Sequence, residues 1–191
     1  MINLKFEGPY KFVGASSSLV FTSPNINKGG IYLWVEKLGK SYVTTYVGIT
    51  NRSFYERLAE HLESYLSGQY GIRTKGKDNR FTTRYKGLYG YPTDQKIKIR
   101  NNFFINYKRY SKLIDHKIHN QERLFLCPLN IPKRKLERIE GAIVKHLWEQ
   151  KPPAGAAMEK IRIRPRRKLE KPFMIKIGKN NIRGLPNTIL V

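Results

Sequence analysis

The chain is poor in cysteine, in acidic residues and in long apolar runs. Its 191 residues include a single cysteine, Cys127, which excludes an intramolecular disulfide framework and any zinc module built from several cysteines. No segment approaches the roughly 18 uninterrupted apolar residues of a membrane-spanning helix. The N-terminal residues MINLKFEGPYKF lack the apolar core of a secretory signal peptide. These absences predict a cytoplasmic protein with no membrane partner.

Acidic residues are scarce relative to basic ones. Fourteen Asp and Glu stand against 37 Lys and Arg, so the formal net charge is +23. Nucleic acid is the expected partner, because counterion release rewards many dispersed basic residues. A ribosomal or merely solubilised basic protein has the same charge balance. With 40% hydrophobic and 12% aromatic residues the chain can bury a core, and its length favours one elaborated domain.

A hairpin followed by a helix is predicted between residues 29 and 66. Segments 30–36 and 42–49 are rich in β-branched and aromatic residues, and KLGKS between them supplies a turn. Ser53 and Glu56 form a capping-box pattern, after which apolar residues recur at helical spacing to Leu66. Arg57 and His61 are one helical turn apart and therefore share a face.

A third strand and a second strong helix are predicted further along the chain. Residues 121–129 (QERLFLCPL) have the composition of a short strand, and Pro132 opens a helix over 133–150. Glu137 and Glu140 lie three residues apart on that helix. Between the two regions, residues 67–120 form a basic insertion with interleaved glycines and tyrosines, including a predicted basic helix over 96–118. A charged loop containing a β-hairpin is the alternative interpretation of its first half.

Hydrolysis of a phosphodiester requires groups that this sequence contains. A base must activate water, positive charge must stabilise the phosphate, and the leaving oxygen needs help. Tyrosine or histidine can move the proton, arginine can hold a non-bridging oxygen, and a carboxylate can bind a divalent cation. Taken singly, each such residue has an ordinary structural explanation in packing or at the surface.

The order of these residues resembles the GIY-YIG nuclease superfamily. GIY occurs at 30–32 and YVG, a conservative variant of YIG, at 46–48; R-x-x-x-H and a helical glutamate follow. The resemblance covers residues 29–66 closely and 121–150 in outline. It implies an α+β fold in which a small three-stranded antiparallel sheet is flanked by helices. Here a basic insertion and N- and C-terminal arms would be added to it.

The resemblance also implies a role for each matching residue. Tyr32 would border the attacking water, as a candidate general base, and Tyr46 would contact the scissile phosphate or the water network. Arg57 would stabilise the phosphate charge, and His61 would assist Tyr32 in proton transfer. Glu140 would bind one Mg²⁺ or Mn²⁺ per active site. Glu140 is preferred to its neighbouring glutamate because the apolar pair 143–144 follows it, as in the family.

Two positions depart from the family pattern. Many members carry an asparagine just past a proline after the glutamate helix, and none follows Pro153 here. A lysine common after YIG is replaced by Ile49. These departures also allow the interpretation that the site is inactive or is built differently.

The architecture suggests a stand-alone, restriction-type endonuclease acting on double-stranded DNA, dimeric if it cuts a palindrome. The predicted parts are an N-terminal arm (1–28), the hairpin and first helix (29–66), the insertion (67–120), the third strand and glutamate helix (121–150) and a basic C-terminal arm (151–191). The residues predicted to contact DNA are Arg73, Lys75, Lys77, Arg80, Arg84, Lys86, Arg164, Arg166 and Arg167. The alternatives are a structure-specific or nicking phage-type nuclease and a non-catalytic nucleic-acid-binding protein.

Overall fold

A computed structural model describes residues 1–75, 81–152, 154–158, 163–164 and 166–191, with the backbone alone at Lys75 and Gln121. The fold is a mixture of helices and strands, as predicted. Within the described ranges, no helix combines the length and apolarity that a bilayer crossing requires.

The centre of the molecule is a five-stranded mixed sheet. Its strands, in spatial order, are β2 (Glu7–Tyr10), β7 (Glu122–Pro128), β3 (Gly30–Leu38), β4 (Ser41–Thr50) and β9 (Ile182–Arg183). The predicted hairpin is confirmed as β3 and β4, and the predicted third strand as β7. The register aligns Tyr32 with Gly48 and Trp34 with Tyr46, so the two sequence motifs lie side by side.

The predicted three-stranded antiparallel sheet is too small. The three predicted strands form its middle, but β2 adds an antiparallel strand at one side and β9 a parallel strand at the other. Both come from terminal segments predicted as arms. A further sheet joins β1 (Ile2–Leu4), β8 (Met174–Ile177) and β10 (Thr188–Leu190), and brings the two ends of the chain together. These segments cover apolar edges and faces that three strands would leave in water.

Helices cover both faces of the central sheet. The helix α1 (Phe54–Leu66) has the predicted bounds and the predicted capping box, because the Ser53 hydroxyl accepts from the Glu56 amide. It packs on one face, with Phe54 and Leu58 fully buried. The helix α4 (Lys133–Trp148) packs on the opposite face through an apolar stripe of Leu136, Ile139, Ile143, Val144 and Leu147.

The insertion contains a hairpin and two helices rather than one. Strands β5 (Ile72–Lys75) and β6 (Phe81–Tyr85) pair, and the predicted helix over 96–118 is divided into α2 (Thr93–Ile105) and α3 (Tyr107–His116). Asn106 interrupts it, since asparagine competes with helical hydrogen bonding through its side chain. A π-helical turn (Lys117–Gln121) leads into β7, and a short helix α5 (Ala154–Ala157) follows α4. Phe103 stacks on Tyr110 across the break at a centroid distance of 5.6 Å, which buries both rings.

Candidate active site

Three of the predicted site residues form one hydrogen-bonded group. The Tyr32 hydroxyl lies 2.7 Å from His61 Nε2, and Arg57 Nε donates to the same hydroxyl at 3.2 Å. Tyr46 faces this group, with its ring centroid 6.1 Å from Tyr32 and 5.7 Å from His61. The strand β3 therefore supplies the hydroxyl that Arg57 and His61 of α1 both contact. The predicted helical spacing of Arg57 and His61 is what allows both to reach one oxygen.

The glycines of the two motifs are required by close backbone approach. A Cβ on Gly48 would lie 2.4 Å from the Tyr32 hydroxyl oxygen, so only glycine leaves room for that hydroxyl. Gly30 has φ +152°, and a Cβ there would lie 2.2 Å from the Cys127 carbonyl oxygen on β7. Both motif glycines thus serve the packing of the sheet around Tyr32.

Burial keeps this hydrogen-bonded group uncharged except at the arginine. Burial, with help from Arg57, lowers the pKa of His61 to about 3, so the imidazole is neutral at physiological pH. Burial also raises the pKa of Tyr32 well above its usual range, and Tyr46 adds to that effect. A protonated Tyr32 can therefore donate to the neutral His61 Nε2 while it accepts from Arg57.

We expect His61 to make the protein sensitive to acid. Its pKa is lowered on folding, so the unfolded chain takes up a proton below about pH 6.5 while the folded protein does not. The free energy of unfolding is therefore at its full value above about pH 6.5. It decreases as the pH falls towards 3, and the loss from His61 is ~2 kcal/mol at pH 5. Urea unfolding should show this loss in the wild type and not in His61→Gln. The exposed His116→Gln variant should keep the wild-type pH dependence; an equal change in both variants would contradict the prediction.

Arg57 is held by a carboxylate on its own helix. Its Nη1 lies 3.0 Å from Glu60, and Arg52 pairs with the same carboxylate at 2.6 Å. Burial opposes the charge of Arg57, but Tyr32 and Glu60 outweigh it, so the pKa of Arg57 is raised. Its guanidinium lines two adjoining cavities and remains accessible from solvent. A fixed, charged arginine at a cavity wall is suited to binding a phosphate oxygen.

Glu140 and Glu137 have different surroundings on α4. Glu137 is buried and paired with Arg134 and Arg164. Glu140 is half-buried, and among the described residues it makes no hydrogen bond or ion pair. Burial, together with the charge of Glu137, raises the pKa of Glu140 to about 7. Glu137 thus has a structural role, whereas Glu140 is a destabilised carboxylate available to a ligand.

Glu140 interacts electrostatically with residues of the tyrosine group. In the part of the chain that the structure describes, β9 pairs with β4 only at Tyr42 and Val43. Glu140 lies within electrostatic range of Tyr46, whose pKa it raises in addition to burial, and of Arg57. Four of the five predicted residues therefore come together from β3, β4 and α1, and Glu140 of α4 interacts electrostatically with Tyr46 and Arg57.

The donor set fits one hard divalent cation. Within the described residues, no three His, Cys, Asp or Glu side chains converge. Mg²⁺ is commonly bound by one or two carboxylates, with waters and substrate phosphates completing its octahedron. Glu140, which is unpaired among the residues that the structure describes, is a carboxylate of that kind within electrostatic range of Arg57, which can orient a phosphate.

The site opens into a cavity of about 1130 Å³ between α1 and the insertion. Tyr46, Arg57 and His61 lie on its wall, whereas Tyr32 is fully buried behind them. Tyr32 is therefore not itself on the cavity wall, and its contact with the attacking water stays a prediction. Trp34 and Glu60 were not predicted as site residues. Trp34 follows Tyr32 by two residues on a strand, a spacing that places both side chains on one face.

The basic residues predicted to contact DNA fall into two groups. From the insertion, Arg84 and Lys86 are exposed, and Arg73 lines the cavity while donating to the Ala156 and Ala157 carbonyls. In the C-terminal segment, Arg164 pairs with Glu137, and Arg166 donates to the Glu170 carbonyl. Arg167 is exposed and is anchored to Glu170 through its amide. Lys77, Arg80 and Pro153 lie outside the described residues, as does the Lys75 side chain.

Comparison of the chain with protein-family models, with curated proteins and with solved structures finds no match.

Proposed function

We propose that this protein is a metal-dependent DNA endonuclease of the GIY-YIG type, which hydrolyses phosphodiester bonds. The observation that carries the proposal is that two kinds of group lie within electrostatic range of each other. A tyrosine, histidine and arginine share a hydrogen-bonded hydroxyl, and a half-buried carboxylate that is unpaired among the described residues lies within electrostatic range of the arginine. Metal-dependent hydrolysis of a phosphodiester requires a path for the proton, a positively charged side chain that binds the phosphate, and a ligand for the metal ion.

The tyrosines and the histidine form the proton path. Tyr46 is the hydroxyl at the cavity wall, and it contacts the water or phosphate that enters. A proton leaving the attacking water passes through the two tyrosine hydroxyls, and His61 Nε2 accepts it from Tyr32. His61 is unprotonated in the free protein, and an approaching phosphate anion favours its charged form.

Arg57 and Glu140 act on the phosphate. The guanidinium binds a non-bridging oxygen and stabilises the charge that grows there in the transition state. Glu140 would hold Mg²⁺ or Mn²⁺, which when bound supplies Lewis-acid stabilisation of the phosphate and the leaving oxygen. Because the pKa of Glu140 is about 7, cation binding competes with a proton and should strengthen as the pH rises through neutrality.

Plasmid digestion tests the proposal. Supercoiled DNA incubated with the protein and Mg²⁺ should be cleaved, and EDTA should stop the reaction. Discrete, reproducible fragments would support a restriction-type enzyme, the form favoured by a separate basic insertion and C-terminal segment. Nicks confined to branched DNA would support the phage-type alternative instead. DNA binding without metal-dependent cleavage of any DNA would refute the nuclease and favour the non-catalytic binding protein.

Double-strand cleavage of a palindrome would require two active sites. A homodimer that pairs two copies of this cavity is the simplest arrangement with that property. Sedimentation of the protein with and without a cleaved duplex measures whether two chains bind one site.

A further inference from the structure

Aromatic rings make up a large part of the wall of the cavity beside the candidate active site. Its volume of about 1130 Å³ slightly exceeds that of typical sites for small organic groups, roughly 300–1,000 Å³, so it can accommodate a nucleobase. The aromatic residues on its wall are Trp34, Tyr46, Tyr65, Tyr70, Tyr85, Tyr89 and Trp148. Aromatic side chains of this kind are the surfaces on which unpaired nucleobases stack.

These rings form a continuous series from the site to the surface. The Tyr70 ring centroid lies 5.3 Å from that of His61 and 5.5 Å from that of Tyr89. Tyr89 is 65% exposed at the mouth of the cavity. The loop that carries it is tied down, because the Leu88 amide donates to the Gln69 carbonyl at 2.9 Å. Tyr89 is thus a positioned ring with a free face, rather than a side chain that contributes to the core.

The positively charged side chains on the cavity wall favour an anionic ligand. Arg57, Arg73 and Lys86 lie on its wall. Glu122 is the acidic residue among the described lining residues, and Lys117 pairs with it at 2.6 Å. Aromatic rings with surplus cations disfavour a cationic guest and favour a group that joins a flat ring to a phosphate. A nucleotide has that combination.

We propose that this cavity binds one unpaired nucleobase of the DNA substrate, stacked on Tyr89, with Lys86 on an adjacent phosphate. The inference rests on the proposed nuclease function and narrows its substrate class. A base stacked inside a duplex cannot enter a cavity recessed between α1 and the insertion. The substrate therefore presents a base outside the stack, at a bulge, at a gap or by extrusion from the helix.

Binding without cleavage tests the proposal. In EDTA, a short duplex with one unpaired adenine should bind about tenfold more tightly than the fully paired duplex, by fluorescence anisotropy; a single base–aromatic stack is worth a factor of roughly 5–150. Tyr89→Ala should abolish this preference, and Tyr89→Phe should retain it. Tyr55→Ala is the matched control, since Tyr55 is 53% exposed on α1 but does not line the cavity.

The salt dependence of binding separates stacking from charge. Tyr89→Ala should leave the slope of log Kd against log salt unchanged, whereas Lys86→Ala should reduce its magnitude by about one. Equal affinity for paired and unpaired duplexes, or a preference that survives Tyr89→Ala, would overturn the nucleobase site. If the wild type still cleaves plasmid DNA in that case, the proposed nuclease function is retained and only the nucleobase site is rejected. A Tyr89-dependent preference without any cleavage would refute the nuclease and retain the site.

Discussion

Replacing Glu140 by glutamine is expected to lower Mg²⁺-dependent cleavage at least about a thousandfold while DNA affinity stays within a few-fold. The variant removes the carboxylate that would hold the cation, and Lewis-acid stabilisation of a phosphoryl transition state is worth several kcal/mol. Its neutral amide keeps the size of the side chain and adds no charge repulsion towards phosphate. Initial rates on plasmid and anisotropy in EDTA measure the two quantities.

The same variant is expected to be more stable than the wild type. Folding raises the pKa of Glu140 to about 7, so the folded carboxylate becomes progressively less favourable as the pH rises from about 4.5 to 7. Above pH 7 the penalty is complete, and Glu140→Gln should raise the free energy of unfolding by ~1–3 kcal/mol at pH 8 in EDTA. At pH 4 the two proteins should be equally stable. A gain in stability together with a loss of activity is typical of a residue kept for function.

Glu137→Gln is the control for both measurements. It lies one turn away on α4, but it is buried and paired with Arg164 and Arg134. Loss of those ion pairs should destabilise the protein, with a much smaller effect on cleavage. Equal loss of cleavage in the two variants, or a less stable Glu140→Gln, would contradict the assignment of Glu140 as the metal ligand.

Replacing Arg57 by lysine is expected to reduce kcat about 10²- to 10³-fold with little change in KM. Lysine retains the positive charge, but it cannot donate to Tyr32 and present a planar fork to a phosphate at the same time. A group that acts on charge developed in the transition state affects kcat more than substrate binding. Single-turnover cleavage over a range of DNA concentrations separates the two parameters.

Arg52→Lys provides the comparison, because Arg52 pairs with the same Glu60 but does not contact Tyr32. Its side chain is half-exposed, so the variant should cleave at close to the wild-type rate. A wild-type rate in Arg57→Lys would remove Arg57 from the proposed mechanism. A rise in KM alone would make it a DNA-binding residue without a role in the chemical step.

Elements with local signals were predictable from the sequence. The helix α1 begins at a capping box and continues with a periodic apolar stripe, and both signals come from residues within a few positions of one another. The hairpin of β3 and β4 is adjacent in sequence, so its pairing needs only a turn. The helix α4 was predicted to within two residues at its end for the same reason.

The width of the sheet was not predictable in this way. The strands β2 and β9 are four and two residues long, and each pairs with a strand far away in sequence. Segments this short have no periodicity that would identify them as strands. They become strands because they pair with the exposed edges of the folded sheet. The break in the helix at Asn106 was also not predictable, because the apolar pattern continues across it. The rings of Phe103 and Tyr110, on either side of the break, both pack against Tyr85.

The sequence by itself determined which side chains are candidates for chemistry: the Tyr32 and Tyr46 motifs, the Arg57–His61 pair and two glutamates on one helix. The tertiary structure decided which of them can act. It buried Tyr32 behind Tyr46 and paired Glu137 with arginines. It also left Glu140 unpaired among the described residues and within electrostatic range of Tyr46 and Arg57. Burial, ion pairing and pKa depend on neighbours that are distant along the chain, and those neighbours exist only once the sheet and its two helical layers have packed together.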